Sequence, residues 1–224
     1  MPMPAERLLD PLPLEPLEVA ADWLAEAWRL RAQANPNSMM LATSTRDGRP
    51  SARVVLCKEI VPQPGYVVFY TNYHSRKGRE LADNPRAAAV LHFDALQCQV
   101  RIEGVVERCS AAESDAYFAS RSIASRVGAW ASSQSEPIES RERLRTRVAE
   151  AARRFEKSFT AQSGEPMVPR PPHWGGYRLW AQAVELWVEG ESRIHDRARW
   201  TREVAPQSSG SFKAGSWTVT RLQP

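Results

Sequence analysis

Between residues 39 and 108 the hydrophobic pattern is short and alternating, and its segments follow one another with almost no helix between them. Met39 to Thr43, Ala52 to Lys58, Tyr66 to Thr71, Ala87 to Phe93 and Gln99 to Arg108 read as strands. Arg46-Asp47-Gly48 and Pro62-Gln63-Pro64-Gly65 supply hairpin-type turns, and one brief helix, Arg79 to Asn84, ends at Asn84-Pro85. Parallel strands need a crossover of a dozen or more residues, normally a helix, so hairpin-length connections favour an antiparallel sheet over a doubly wound parallel one. Strand signals return at Tyr177 to Val188, Ile194 to Glu203 and Ser216 to Leu222, the last two separated by the Gln207 to Ser211 tip. The expected fold is mainly β with added helices (α+β), an antiparallel, Greek-key-like sheet or barrel.

Helical spacing marks Leu17 to about Ala34, through Ala20, Trp23, Leu24, Ala27 and Leu30, and Asn35-Pro36-Asn37 stops it. Prolines at positions 2, 4, 11, 13 and 16 forbid helix before it, so residues 1–16 read as an extended arm and residues 17–224 as a single domain. Ser110-Ala111-Ala112-Glu113 has the spacing of a capping box, which starts a helix running through Tyr117. A further helix is expected from about Ser140 to Lys157, and Gln162 to Pro172 is rich enough in glycine and proline to be a long loop.

Several chemistries are disfavoured by what the chain lacks. It has neither G-x-x-x-x-G-K-[ST] nor G-x-G-x-x-G, no H-E-x-x-H and no G-x-S-x-G, and His74, His92, His173 and His195 are scattered, so no metal is expected. Cys57, Cys98 and Cys109 form neither a disulfide framework nor a zinc pattern, which fits a reducing cytoplasm. The N-terminal stretch lacks the pattern of an export signal, and no apolar run approaches the roughly eighteen residues that span a bilayer, so neither export nor membrane insertion is expected. A net charge of +4 favours anionic ligands but is too mild for nucleic acid without a concentrated basic stripe.

Small phosphate esters suit that balance, and two segments could hold them. In Arg193-Ile194-His195-Asp196-Arg197, strand alternation would put Arg193, His195 and Arg197 on one face, where three proton-carrying groups are most easily explained by a bound anion; the alternative is a solvated edge-strand face. Ser75-Arg76-Lys77 opens a helical segment just after Tyr70-Thr71-Asn72, so a helix N-terminus is combined with a hydroxyl, a guanidinium and an ammonium. Arg53-Val54-Val55-Leu56-Cys57-Lys58 places a cation at each end of an apolar run, a pattern also common at ordinary strand ends.

Taken in order, these segments together with Gln99-Val100-Arg101-Ile102-Glu103-Gly104, Tyr117-Phe118, Ser120-Arg121, Gly128-Ala129-Trp130, Gln134-Ser135 and Trp174-Gly175-Gly176 resemble the pyridoxamine 5′-phosphate oxidase family over about residues 17–224. The resemblance implies an FMN-binding split β-barrel, a homodimer with FMN at the subunit interface, and oxidation of pyridoxine or pyridoxamine 5′-phosphate to pyridoxal 5′-phosphate. Hydride would pass from substrate C4′ to flavin N5, and molecular oxygen would be reduced to hydrogen peroxide. Carried over by residue, the implied FMN contacts are Arg53, Val54, Val55, Leu56, Cys57, Lys58, Tyr70, Thr71, Ser75, Arg76, Lys77, Gln99, Gln134, Ser135, Trp187 and Arg197. The implied substrate contacts are Lys58, Tyr117, Arg121, Ser125, Arg193 and His195, with Arg193 and His195 aligning substrate and managing protons as the catalytic pair. Tyr117, Arg121 and Ser125 lie four apart and would share a helical face if that region stays helical.

Three features depart from the family pattern. Cys98 and Phe93 stand where an arginine and a tryptophan are usual, which implies altered packing on the flavin side. The arm lacks the basic, tyrosine-containing motif that folds over substrate in some members. Ala161 to Pro169 reads as a short surface insertion. Two alternatives use the same barrel: a phenazine-type flavin oxidase acting on a tricyclic substrate, and an FMN- or pyridoxal-phosphate-binding protein without turnover.

Overall fold

A computed structural model of the chain describes residues 8–31, 33–156, 167–208 and 210–224. Helix α1 (Pro16–Arg29) opens on a proline at its first turn, and Arg31 at φ 49° ends it well short of the expected Ala34, because that left-handed backbone cannot propagate a right-handed helix. Strands β1 (Ser38–Ser44), β2 (Pro50–Leu56), β3 (Glu59–Val61) and β4 (Tyr66–Asn72) follow, then helix α2 (Arg76–Asp83) and strands β5 (Arg86–Phe93) and β6 (Cys98–Arg108). Three helices come next: α3 (Ala111–Ala119), α4 (Ile123–Ala131) and α5 (Arg141–Phe155). Strand β7 (Trp174–Val188) is followed by β8 (Asp196–Thr201), the small β9 (Val204–Pro206) and β10 (Phe212–Ala214) pair, and β11 (Thr218–Leu222).

All ladders are antiparallel, and the main sheet runs β11-β8-β7-β6-β5-β1-β2. The sheet splits at β7, whose first half pairs with β4 and whose second half pairs with β8 on that same edge. Opposite the change of partner, the β6 and β7 register shifts between Glu103 and Gly104. A bulge of this kind bends a strand and increases its twist, which lets the sheet curl into a split barrel. A Cβ on Gly104 would strike the Trp180 carbonyl. Gly104→Ala is therefore expected to destabilise the barrel by about 2 kcal/mol, seen as a lower midpoint in thermal unfolding.

The barrel interior takes every second residue of the strands, including Met39, Leu41, Phe69, Leu91, Leu179, Leu186 and Trp200, all essentially without solvent contact. Helix α1 packs across β3, β5 and β7, and its Leu17, Ala20 and Ala27 join this core. A smaller apolar cluster of Phe118, Val127, Phe155, Val168 and Trp174 holds α3, α4 and α5 beside the mouth of the barrel. The arm from Leu8 to Glu15 is pinned to the far edge of the sheet. Leu8 N–H donates to Asp196 Oδ2 (2.9 Å), Trp200 Nε1 donates to the Pro13 carbonyl (2.9 Å), and Arg221 bridges Asp196 and the Leu9 carbonyl. Residues 1–7, and residues 162–166 of the expected 162–172 loop, lie outside the described residues. Among the described residues, no helix is long and apolar enough to cross a membrane.

Candidate functional site

Strand β4 leads straight into α2, and that junction forms one end of a cavity of about 700 Å³. Ser75 is the helix N-cap: its buried hydroxyl accepts from Gly78 N–H (3.3 Å) and donates to the Asn72 carbonyl (2.7 Å). With the cap fixed, Lys77 is turned inward. It is only 7% exposed, and its Nζ donates to Thr71 Oγ1 (3.1 Å), Ser75 Oγ (3.3 Å) and Gln134 Oε1 (3.4 Å), all of them neutral oxygens. Burial, reinforced by the nearby Arg53 charge and opposed by Glu80, brings the Lys77 ammonium down to about 8.

The opposite wall comes from the helices. Tyr117, on α3, stacks on Tyr70 with centroids 3.9 Å apart, and Trp174 lies nearly parallel to Tyr117 at 6.1 Å, so three rings line one side of the cavity. Arg121 sits with its guanidinium 4.7 Å from the Trp174 ring centroid, its Nη1 buried and without a hydrogen-bond partner. Burial lowers its affinity for its proton. Lys58 Nζ stands 5.6 Å from the Tyr117 centroid. Among the described residues Lys58, Lys77 and Arg121 have no carboxylate partner, so one concavity holds three uncompensated cations, two of them substantially buried. Buried charge without a counter-ion is costly, and a bound phosphate would supply that counter-ion.

Of the residues expected from the sequence, Val54, Val55, Leu56, Lys58, Tyr70, Thr71, Lys77, Tyr117, Arg121, Ser125 and Gln134 line this cavity. Tyr117, Arg121 and Ser125 do not share a helical face. Ser122 caps a new helix, accepting from Ser125 N–H, so α3 ends at Ala119 and α4 begins at Ile123; the turn between them still aims all three at the cavity. Cys57 is turned into the barrel core and its backbone N–H and carbonyl are both taken by Asn37. Arg53 and Arg76 stand behind the Lys77 end, both ion-paired to Glu80. Ser135 is exposed beside Gln134, at φ 74°.

The remaining expected residues gather elsewhere. Gln99, Trp187 and Arg197 are direct register neighbours across β6, β7 and β8, and so occupy one row on the outer sheet face. Arg193 and His195 do not belong to a strand face with Arg197, because β8 starts only at Asp196. Glu191 to Arg193 form a tight turn in which Ser192 and Arg193 are both left-handed, at φ 54° and 65°. That turn folds His195 back onto Trp187, with centroids 4.7 Å apart. Gly190 N–H donates to His195 Nδ1 (3.2 Å), so the neutral imidazole carries its proton on Nε2. Within one chain the expected site is thus two half-sites, one in the cavity and one on the outer face.

Trp174, Asn72, Ser122, Gly128, Ala129 and Ser132 also line the cavity, and residue-by-residue inference from the sequence did not assign them to it. The Trp174-Gly175-Gly176 and Gly128-Ala129-Trp130 segments were the available signal. The two glycines of the first let β7 pass close to Tyr73 and Cys109, and this seats Trp174 over the cavity.

A split antiparallel barrel whose aromatic-walled cavity ends in uncompensated cations at a helix N-terminus defines an FMN-binding split-barrel protein. Residues 26–155 match the family model described as pyridoxamine 5′-phosphate oxidase, and residues 174–224 match that of the pyridoxine 5′-phosphate oxidase C-terminal dimerisation region. The chain is 48% identical over 210 residues to the pyridoxine/pyridoxamine 5′-phosphate oxidase of Rubrobacter xylanophilus, covering 94% of this chain and 87% of that one. It is 52% identical over 189 residues to the enzyme of the same name from Paraburkholderia phymatum, covering 84% and 80%. Among solved structures, PhzG from Burkholderia lata 383 in complex with tetrahydrophenazine-1-carboxylic acid superposes with a TM-score of 0.81 at 33% identity, over 96% of this chain and 95% of that one. The chain belongs to the pyridoxamine 5′-phosphate oxidase family and is an oxidoreductase.

Proposed function

We propose that this protein oxidises pyridoxine or pyridoxamine 5′-phosphate to pyridoxal 5′-phosphate, with molecular oxygen as the acceptor, in a site completed by a second copy of the chain. The observation that carries the reading is a cavity lined by two sets of cations with no carboxylate in ion-pair contact among the described residues: Lys77 at the α2 N-terminus, and Lys58 with Arg121 against the aromatic wall. Two phosphate esters that carry ring systems suit that combination of charge and aromatic surface.

In this reading Lys77, Thr71 and Gln134 hold the FMN phosphate, with Arg53 and Arg76 behind them. Arg121, Lys58, Tyr117 and Ser125 hold the substrate phosphate. When bound, FMN would supply the two-electron couple between substrate and oxygen, with hydrogen peroxide as the reduced product and, for the amine substrate, ammonia released by water. The chain contributes orientation and charge: Arg121 fixes the substrate from its phosphate end, and the aromatic rings set the plane in which its pyridine ring can lie.

The second copy enters through the sheet. Val54 and Leu56 line the cavity, yet Val54 is 63% exposed and its register neighbour Met40 is 52% exposed, so the cavity wall continues onto an uncovered apolar face. That same outer face carries Gln99, Trp187 and Arg197, with His195 stacked on Trp187. These residues lie on or beside the segment matched by the dimerisation-region model. A twofold pairing of this face would set the Gln99, Trp187 and Arg197 row, with Arg193 and His195, at the mouth of the partner's cavity. His195, with its proton on Nε2, would donate to substrate there.

The test is spectroscopic. Purified protein is expected to carry a yellow flavin band that bleaches, with formation of one equivalent of the aldehyde product, when pyridoxine 5′-phosphate is added without oxygen, and that returns, with peroxide, on admitting air. A stable yellow band with no peroxide would sink the oxidase reading in favour of a binding protein. Bleaching by a reduced phenazine carboxylate but not by the phosphate ester would favour the activity suggested by the likeness to PhzG.

A further inference from the structure

We infer that Glu80 is a positioning residue for the phosphate end of the cavity: its buried carboxylate fixes Arg53 and Arg76 behind Lys77 and sets the charge that this cradle presents to an anion. The inference rests on the FMN reading above, and deepens it by naming a residue that does not itself line the cavity.

Glu80 lies in the second turn of α2, one turn beyond Lys77, and is only 4% exposed. Its Oε1 accepts from Arg76 Nε (2.9 Å). Its Oε2 accepts from Ser51 Oγ (2.6 Å), Arg53 Nη2 (3.3 Å) and the Thr43 hydroxyl. Arg53 is then held from its other side, Nη1 donating to Thr43 Oγ1 (2.6 Å) and to the Leu41 carbonyl (3.1 Å). Donors from β1, β2 and α2 thus converge on one carboxylate. Burial pushes the Glu80 carboxyl up, but hydrogen bonds from Ser51, Thr43 and Arg76 and the Arg53 charge bring it down to about 2.

Stability alone is a poor explanation for such a group. A buried ion-pair network contributes little or no more than apolar residues of equal volume would, because desolvation offsets the attraction. Its geometric effect is specific, however. Arg76 is largely exposed, and among the described residues Glu80 is the one that fixes the direction of its guanidinium. The electrostatic effect is equally specific. Three cations against one carboxylate leave two positive charges, the complement of a phosphate dianion. The charged groups facing Lys77 are Arg53, from β2, and Glu80, from its own helix, and those facing Glu80 are Arg53 and Arg76. Among the described residues, Glu80 is therefore the sole charge that favours the protonated Lys77 against burial and Arg53.

The test is FMN affinity as a function of pH, followed by flavin fluorescence quenching on the apoprotein of the full chain. Wild-type affinity is expected to hold up to about pH 8 and to weaken above it, as Lys77 loses its proton. In Glu80→Gln the weakening should begin about one pH unit lower, with binding about fivefold weaker at pH 8 and about tenfold weaker at pH 9. Glu80→Asp keeps the charge but not the reach: its break should stay at the wild-type pH while affinity falls at every pH. A role in packing alone would lower affinity evenly and leave the break where it is. An unmoved break in Glu80→Gln, tighter binding across the range, or undiminished affinity in Glu80→Asp would each overturn the inference while leaving FMN binding intact. Wild-type protein that takes up no FMN at all would overturn the functional reading with it.

Discussion

Co-expressed Arg121→Ala and His195→Ala chains are expected to recover about a quarter of wild-type activity, although each variant alone should lose about a hundredfold in kcat/KM. The expectation follows from the division of the site. Arg121 belongs to the cavity half and His195 to the outer-face half, stacked on Trp187. If each working site takes Arg121 from one chain and His195 of the partner subunit, a mixed dimer contains one site with both residues and one with neither. Random pairing makes half the dimers mixed, and half of their sites are intact. Steady-state assays of the separated and mixed proteins check this. Mixed protein no more active than the average of its components would show that the two residues serve the same chain's site, or different sites. Both variants should keep their flavin, since neither residue stands at the Lys77 end.

Lys77→Met should produce the second large effect: FMN binding weaker by about a hundredfold, so that the protein purifies colourless. Apoprotein stability should move the other way. Lys77 is buried against neutral oxygens, and burial together with Arg53 lowers its ammonium from 10.5 to about 8. For a cation so shifted the cost to the fold is complete below about pH 8 and fades as pH rises towards 10.5, where the unfolded chain also loses its proton. Methionine of similar length removes that cost, so the apo melting midpoint at pH 7 should equal or exceed that of the wild type. A colourless variant that melts much earlier would instead mark Lys77 as a structural residue. The contrast between lost cofactor and retained stability is the signature of a group placed for its ligand.

Much of the barrel was legible in the sequence because alternation in an antiparallel sheet is a local signal. Met39 to Thr43, Tyr66 to Thr71 and Gln99 to Arg108 each fall within a strand of nearly the same extent, and Ser110 and Glu113 make the capping box their spacing implies. The misreadings share a cause. Arg31, Ser192 and Arg193 adopt left-handed backbone, a conformation that tertiary packing imposes on residues with no preference for it. They end α1 early and take Arg193 and His195 off the strand. Likewise a four-residue spacing could not reveal that Ser122 would cap a new helix between Arg121 and Ser125. The separation of the site into two halves was beyond periodicity altogether, since it depends on which strands become neighbours. The family resemblance implied a homodimer with FMN at its interface but did not assign the residues to two places.

Gln99, Trp187 and Arg197 are aligned by the same pairings that send Val100, Leu186 and Ala198 inward. Sliding any of these strands by one residue would drive charge into the interior and expel its hydrocarbon. Misalignment of this half-site is consequently as improbable as global unfolding, and its backbone amides should exchange with deuterium only as slowly as the most protected amides of the barrel. The turn at Ser192 lies outside any such ladder, so its amides should open and exchange well before those of the row beside it.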